Sequence, residues 1–401
     1  MIRLFLAAAL AFSAAATSHA QDANEAAAYK KFLEELWVDA KAKGISRANF
    51  DLAFNGLSPD PRVIAATKRQ PEYGKPVGDY VNMLVSTRRI EEGRRKQAEW
   101  QKTLDAVEKR FQVERWILIS IWGIESSFGA AKDKWDVFRS LSTLAFVKYR
   151  HPYFRNELLV TLKIMQDGHI ARKDMVSSWA GAMGQTQFMP TNFVDFAIDF
   201  SGDGKPDIWN NVSDVLGSTG NYLKKGGWKF GLPWGYEVTV PSGFDYKKSR
   251  GSFADWAKLN VKRADGGALP GTGDAILFWP AGSKGPGFLV TANYDVLKEY
   301  NNSDAYAIAI GHLADRMAGG PPIKAPWPTD DRPLSRDSRI ALQKKLHSLG
   351  YKVNTFQGNF QGHVDFDLRD NIRDEQIKLG MVPDGNPTPE FMDRIGLTGM
   401  R

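Results

Sequence analysis

The chain has 401 residues, is 43% hydrophobic and 25% charged, and carries a formal net charge of +7. That composition supports about two to three packed domains and excludes a disordered or fibrous chain. It contains no cysteine, which excludes disulfides, a thiolate nucleophile, cysteine-ligated metals and a cysteine-borne lipid anchor.

The first twenty residues, MIRLFLAAALAFSAAATSHA, read as an export leader: Arg3, an apolar stretch, then Ser18-His19-Ala20 before Gln21. The expected product is an exported, soluble, periplasmic protein. Zero cysteine in an exported chain suits a bacterial envelope. The mild basic surplus favours anionic surroundings such as cell-wall polymer. The stretch RRIEEGRRK (88–96) mixes both signs and reads as a solvated helix face, so nucleic acid is not expected.

From Glu25 to Phe111 the pattern is helical, with loops at 57–63 and 69–77 and a long amphipathic stretch from Val77 to Phe111. Helices are expected over 113–126, 137–149 and 153–166, followed by a Gly-rich loop, SSWAGAMGQTQFMP (177–190), closed by Pro190 at a helix start. A polar, turn-rich stretch covers 199–214. Short strands are expected at 236–241, 275–280 and 287–292, then a helix over 304–317. The stretch from 318 to 333 is a linker by composition, rich in Pro, and a small helical unit comes after it. The fold class is mainly α, with a small β part (α+β).

Glu125 ends the apolar run VERWILISIWGIE. At a helix C-terminus, beside Ile121, Trp122 and Phe128, a carboxyl group is favoured in its neutral form, as a general acid requires. Gly129 is available to end the helix. A glutamate turned to solvent or held in an ion pair is the plainer reading of this stretch alone. In the Gly-rich loop, Gly181, Ala182 and Gly184 let backbone amides approach a ligand, and Gln185 and Gln187 offer groups suited to sugar hydroxyls and acetamido groups. In DFSGDGKPD, Asp199, Ser201 and Asp203 stand at positions 1, 3 and 5 of a loop, Gly204 at 6, Lys205 at 7 for its carbonyl, and Asp207 at 9. That is calcium-loop spacing; position 12 is Asn210, and Asp214 could supply the missing carboxylate. A solvated Asp/Gly turn is the plain alternative. YNNSDAYAIAI (300–310) reads as a helix start capped by Ser303 or Asp304. No H-E-x-x-H, G-x-S-x-G, Walker or Rossmann pattern occurs.

The motifs ESSFG, GAMGQTQFMP, DFSGDGKPDIW, GSTGNYLKKGGW and YNNSDAYA, in this order, resemble the lytic murein transglycosylase B family (glycoside hydrolase family 103) over about residues 27–318. The tail, ALQKKLHSLGY to PTPEFM, resembles a small three-helix peptidoglycan-binding domain. The resemblance implies a lysozyme-like catalytic domain over 21–318, a linker over 319–333 and a wall-binding domain over 334–401. It implies cleavage of the β-1,4 bond between N-acetylmuramic acid and N-acetylglucosamine without water, leaving 1,6-anhydromuramoyl ends. Glu125 would be the single acid, then base. Sugar contacts fall on Ser178, Gln187, Tyr222, Tyr300, Asn301 and Tyr306. Calcium ligands fall on Asp199, Ser201, Asp203, the Lys205 carbonyl and Asp214; one extra residue stands before Asp214. No cofactor is expected in the chemistry, and Ca2+ would be structural. The expected partners are peptidoglycan strands, with cell-wall synthesis proteins as further candidates. A hydrolytic muramidase and a non-catalytic wall-binding protein are the competing readings.

Overall fold

The computed structural model describes residues 24–67, 75–329, 331–355 and 358–400. The expected leader at 1–20 and most of the loop expected at 69–77 lie outside the described residues. The described residues form two compact units, one from 24–67 and 131–214, the other from 75–130 and 215–400.

The first unit is built on the helices Val137–Phe146 and Tyr153–Gln166, whose Phe138, Leu141, Leu144, Leu158 and Leu162 are buried. The helix over 24–42 packs there through Tyr29, whose ring meets Phe146 edge-on at 5.4 Å and whose hydroxyl lies 2.7 Å from that of Ser142. Asp136 caps the Val137 helix by accepting the Arg139 N–H at 2.9 Å. Apolar spacing predicts this helix as far as 149. It stops at Phe146, because Lys148 and Arg150 take positive φ. Buried Glu157 accepts both the N–H and the hydroxyl of Thr191, anchoring the helix that starts at Pro190, as its sequence predicts.

The second unit centres on two helices, Arg115–Ser126 and Asp304–Met317, both buried over most of their surface. The Ser120 hydroxyl donates to the Ile310 carbonyl at 2.7 Å, while Glu125 meets Tyr306, so the two run antiparallel. The amphipathic stretch from Val77 is three helices, not one: Val77–Leu84, Thr87–Glu99 and Gln101–Phe111. Ser86 supplies the first break, capping the second helix by accepting the Arg89 N–H.

All three expected strands form, as Gly235–Thr239, Asp274–Phe278 and Gly287–Val290. With Arg250–Ser252 and Lys262–Arg263 they make one antiparallel sheet; from edge to edge the strands begin at Arg250, Asp274, Gly287, Gly235 and Lys262. Trp256, Phe253, Leu277 and Leu289 form its core. The Pro-rich segment is pinned down: Lys324 and Ala325 donate backbone N–H groups to the Glu237 carboxylate, and the Trp327 ring lies over Phe288. Three helices, Arg336–Ser348, Phe366–Lys378 and Pro389–Arg394, close on Leu342, Leu346, Ile372 and Phe391. Among the described residues no helix is long and apolar enough to cross a membrane.

Candidate active site

Glu125 occupies the last turn of the Arg115–Ser126 helix and is partly buried. The helix ends at Ser126, where its sequence predicts, and Gly129 follows in the turn beyond it. Ser127, Phe128 and Gly129 have φ of 51°, 58° and 78°, three successive left-handed residues. Side-chain-bearing residues adopt this conformation at a cost of about 1–2 kcal/mol each. Packing and hydrogen bonds hold them: the Phe128 N–H reaches the Trp122 carbonyl at 3.2 Å, and the Ser126 hydroxyl accepts the Gly129 N–H at 3.1 Å. The Phe128 ring folds back edge-on to Trp122 at 5.7 Å, over Gly123, where a Cβ would stand 2.6 Å from that ring. Backbone strain of this kind clusters at active sites and ligand clamps.

Tyr306, near the start of the facing helix, donates its hydroxyl to Glu125 Oε1 at 2.5 Å. Its helix is capped by Ser303, which accepts the Tyr306 N–H, one of the two caps the sequence offered. Tyr300 lies close enough to Glu125 to feel its charge and packs edge-on to Tyr222 at 4.8 Å. Burial first, and the Glu125 carboxylate second, push the phenols of Tyr300 and Tyr306 well above 10. Both therefore stay protonated donors at neutral pH. Burial also pushes Tyr222 up, to about 12, and its hydroxyl donates to the Glu299 carbonyl at 2.8 Å. Asn301 caps the end of the Ala292–Tyr300 helix. Four of the expected residues, Glu125, Tyr222, Tyr300 and Tyr306, thus form one cluster in the second unit, with Asn301 next in the chain to Tyr300.

Ser178 and Gln187 belong to the first unit. Ser178 shapes its own loop, its hydroxyl accepting the Ala182 N–H at 3.1 Å. Gly181 and Gly184 have φ of 87° and 66°, and a Cβ on Gly184 would stand 2.7 Å from the Ile208 carbonyl oxygen. Gln187, itself at φ 52°, donates its amide to both oxygens of Asp133 at 3.2 Å and to the Gly184 carbonyl at 3.0 Å. Burial raises Asp133 to about 6, against the opposing pull of Gln187 and the Gly184 N–H. Sequence reasoning missed Asp133, because it becomes significant only when the loop brings Gln187 to it. Gln185 ties the loop to the 208–209 carbonyls.

In the 199–214 loop, carboxylate oxygens of Asp199, Asp203 and buried Asp214 lie within 4.8 Å of one another. Asp199 accepts the N–H groups of Gly202, Asp203 and Gly204, which hold it below the usual carboxylate range. Asp214 accepts those of Phe200, Ser201 and Asp207. Ser201 donates its hydroxyl to Asp199. Asp207 turns to cap the Trp209 and Asn210 N–H groups. Three converging carboxylates are a hard-oxygen donor set of the kind Ca2+ takes.

A helix-borne carboxyl group beside a phenol hydroxyl, in a mainly helical fold with a small antiparallel sheet, fits a lysozyme-like glycan-cleaving enzyme, whose chemistry needs a carboxylic acid at the scissile bond. The family model for the transglycosylase SLT domain matches residues 28–315, and that for a putative peptidoglycan binding domain matches 335–395. The chain belongs to the transglycosylase SLT domain family. It is similar to SltB3 of Pseudomonas aeruginosa, solved in complex with NAG-anhNAM-pentapeptide, at 41% identity and TM-score 0.81, over 92% of this chain and 99% of that one. SltB1 of the same organism, a soluble lytic transglycosylase, is 27% identical with TM-score 0.62, over 73% of this chain and 98% of that one. The membrane-bound lytic murein transglycosylase B of Escherichia coli is 31% identical over 228 residues, which are 55% of this chain and 62% of the length of that relative. Escherichia coli Slt35, solved in complex with calcium, shares the fold at 24% identity and TM-score 0.61, over 73% of this chain and 92% of that one.

Proposed function

We propose that this protein is a lytic transglycosylase that cleaves the β-1,4 bond between N-acetylmuramic acid and N-acetylglucosamine in peptidoglycan. The observation that carries the reading is the Tyr306 hydroxyl on Glu125 Oε1 at 2.5 Å, which fixes one carboxyl group among neutral donors at the end of a buried helix. Its likeness to SltB3, solved with both NAG-anhNAM- and NAG-NAM-pentapeptide, supports this substrate class.

Glu125, protonated, gives its proton to the glycosidic oxygen as the bond from C1 of the muramoyl residue breaks. The muramoyl C6 hydroxyl then attacks C1 within the same sugar, and its proton passes to the Glu125 carboxylate. The acid is restored and no water is consumed. Intramolecular attack has a large effective-molarity advantage over water. Tyr306 orients the carboxylate and steadies its charge between the two steps. Tyr300, Asn301 and the substrate acetamido group stabilise the positive charge developing at C1. Tyr222, Ser178 and Gln187 contact the sugars, and Asp133 positions Gln187.

Asp199, Ser201, Asp203, the Lys205 carbonyl and Asp214 would hold a structural Ca2+, which adds no chemistry and ties the 199–214 loop. The leader at 1–20 directs export to the periplasm. Residues 21–318 are the catalytic domain, 319–333 connect it, and 334–401 bind wall. Glu125→Gln tests the assignment: it should preserve folding and remove nearly all turnover, and retained activity would sink it.

A further inference from the structure

The C-terminal three-helix body is joined to the segment that carries Tyr300, Asn301 and Tyr306 by a buried charge. Arg369, on the Phe366–Lys378 helix, is 5% exposed. Its guanidinium donates to Asp304 Oδ2 at 2.9 Å and to the Gly385 carbonyl at 3.2 Å, and it lies 4.7 Å over the Phe278 ring. The other oxygen of Asp304 accepts the Tyr294 hydroxyl at 2.8 Å and Lys298 Nζ at 2.7 Å. Burial alone would raise Asp304, yet Lys298 and Arg369 hold it well below the usual carboxylate range. Asp304 is the first residue of the helix whose third residue, Tyr306, bonds to Glu125. A second contact reaches the same segment, where the Asn302 amide meets the His363 ring. Phe366 packs on Tyr294 and Phe278, with ring centroids at 6.0 and 5.4 Å.

We propose that the C-terminal body, besides any binding of wall, is a positioning element for the reaction: Arg369, through Asp304, sets the 301–306 segment and with it the Tyr306–Glu125 pair. A loose tether would leave the catalytic domain indifferent to the body at its far end. Here the N-terminal turn of an active-site helix depends on a cation from another body. Without that cation, Asp304 keeps only Lys298 and Tyr294, both on one oxygen, and the turn loses the contact that faces the C-terminal body. The proposal rests on the transglycosylase reading above. Arg369 touches no reacting atom and acts only through Asp304.

The test uses the full chain with soluble glycan fragments prepared from peptidoglycan, reading kcat, KM and Tm for Arg369→Gln, Arg369→Lys and Arg373→Gln. Arg373 is the control. It donates to the Leu277 carbonyl at 3.1 Å, at the same junction, but has no bond to the 301–306 segment. Arg369→Gln should lower kcat about tenfold with KM changed less than about twofold, the signature of displaced catalytic groups. Arg369→Lys should restore most of kcat, because the charge at Asp304 returns even though the fork is lost. Arg373→Gln should lower Tm and leave kcat unchanged. Equal losses of kcat in Arg369→Gln and Arg373→Gln, or an unchanged kcat in Arg369→Gln, would overturn the proposal. If the wild type released no anhydromuramoyl product, the reading of the site would fall first, and the proposal with it.

Discussion

The hydroxyl of Tyr306 is the group on which the geometry of Glu125 depends most. Tyr306→Phe keeps the ring in its 1% exposed position and removes only the oxygen. It should lower kcat about 10- to 100-fold and cost about 1 kcal/mol of stability. Kinetics with a thermal melt check both, and unchanged kcat would reduce Tyr306 to a packing residue. Asp133 gives a pH prediction. Its folded value of about 6 lies above the ordinary 3.8, so between the two the native state binds the proton more tightly than the unfolded chain. The stability this contributes is present below about pH 4 and is lost as pH rises through about 6. Asp133→Asn should flatten that part of a Tm-against-pH profile, and a profile unchanged by the substitution would contradict the assignment. Glu125 was legible in the sequence because a charge at the end of so apolar a run needs a reason. Asp133 was not, since its partners Gly184 and Gln187 stand more than fifty residues away and reach it through a tertiary contact.

At the scale of elements, the expected helices and the three main strands formed where apolar periodicity is strong. The errors fall where local polar groups override periodicity. Ser86 breaks the long amphipathic stretch by capping the second of its helices. The edge strands Arg250–Ser252 and Lys262–Arg263 are too short and polar to carry a two-residue alternation. The 199–214 loop was readable because its oxygens fall at fixed spacings, and the structure draws Asp199, Asp203 and Asp214 together. Three like charges this close repel unless a cation offsets them. Treatment with a calcium chelator should therefore lower Tm, and added Ca2+ should restore it. A melting curve indifferent to both would remove calcium from the account.

At the scale of the whole molecule, composition marks the Pro-rich segment as a linker but carries no information on what its backbone touches. Here Glu237 accepts two of its N–H groups, and Trp327 covers Gly78, where a Cβ would stand 2.4 Å from the indole. Limited trypsin digestion should therefore cut slowly after Lys324. Glu237→Gln, which weakens both charge-assisted bonds, should speed the cut several-fold as local opening becomes easier. Rapid cutting of the wild type there would show the segment to be loose. The small basic surplus of +7 is consistent with work on an anionic polymer.

The central claim is that one glutamate breaks the glycan and lets the sugar close on itself. Mass spectrometry of the soluble products from purified peptidoglycan, with wild type and Glu125→Gln side by side, tests it most directly. The account predicts anhydromuramoyl ends from the wild type and none from the variant. Reducing muramoyl ends would make the enzyme a hydrolase with a second carboxylate at work. No product from either, with the protein bound to the wall, would make it a binding protein.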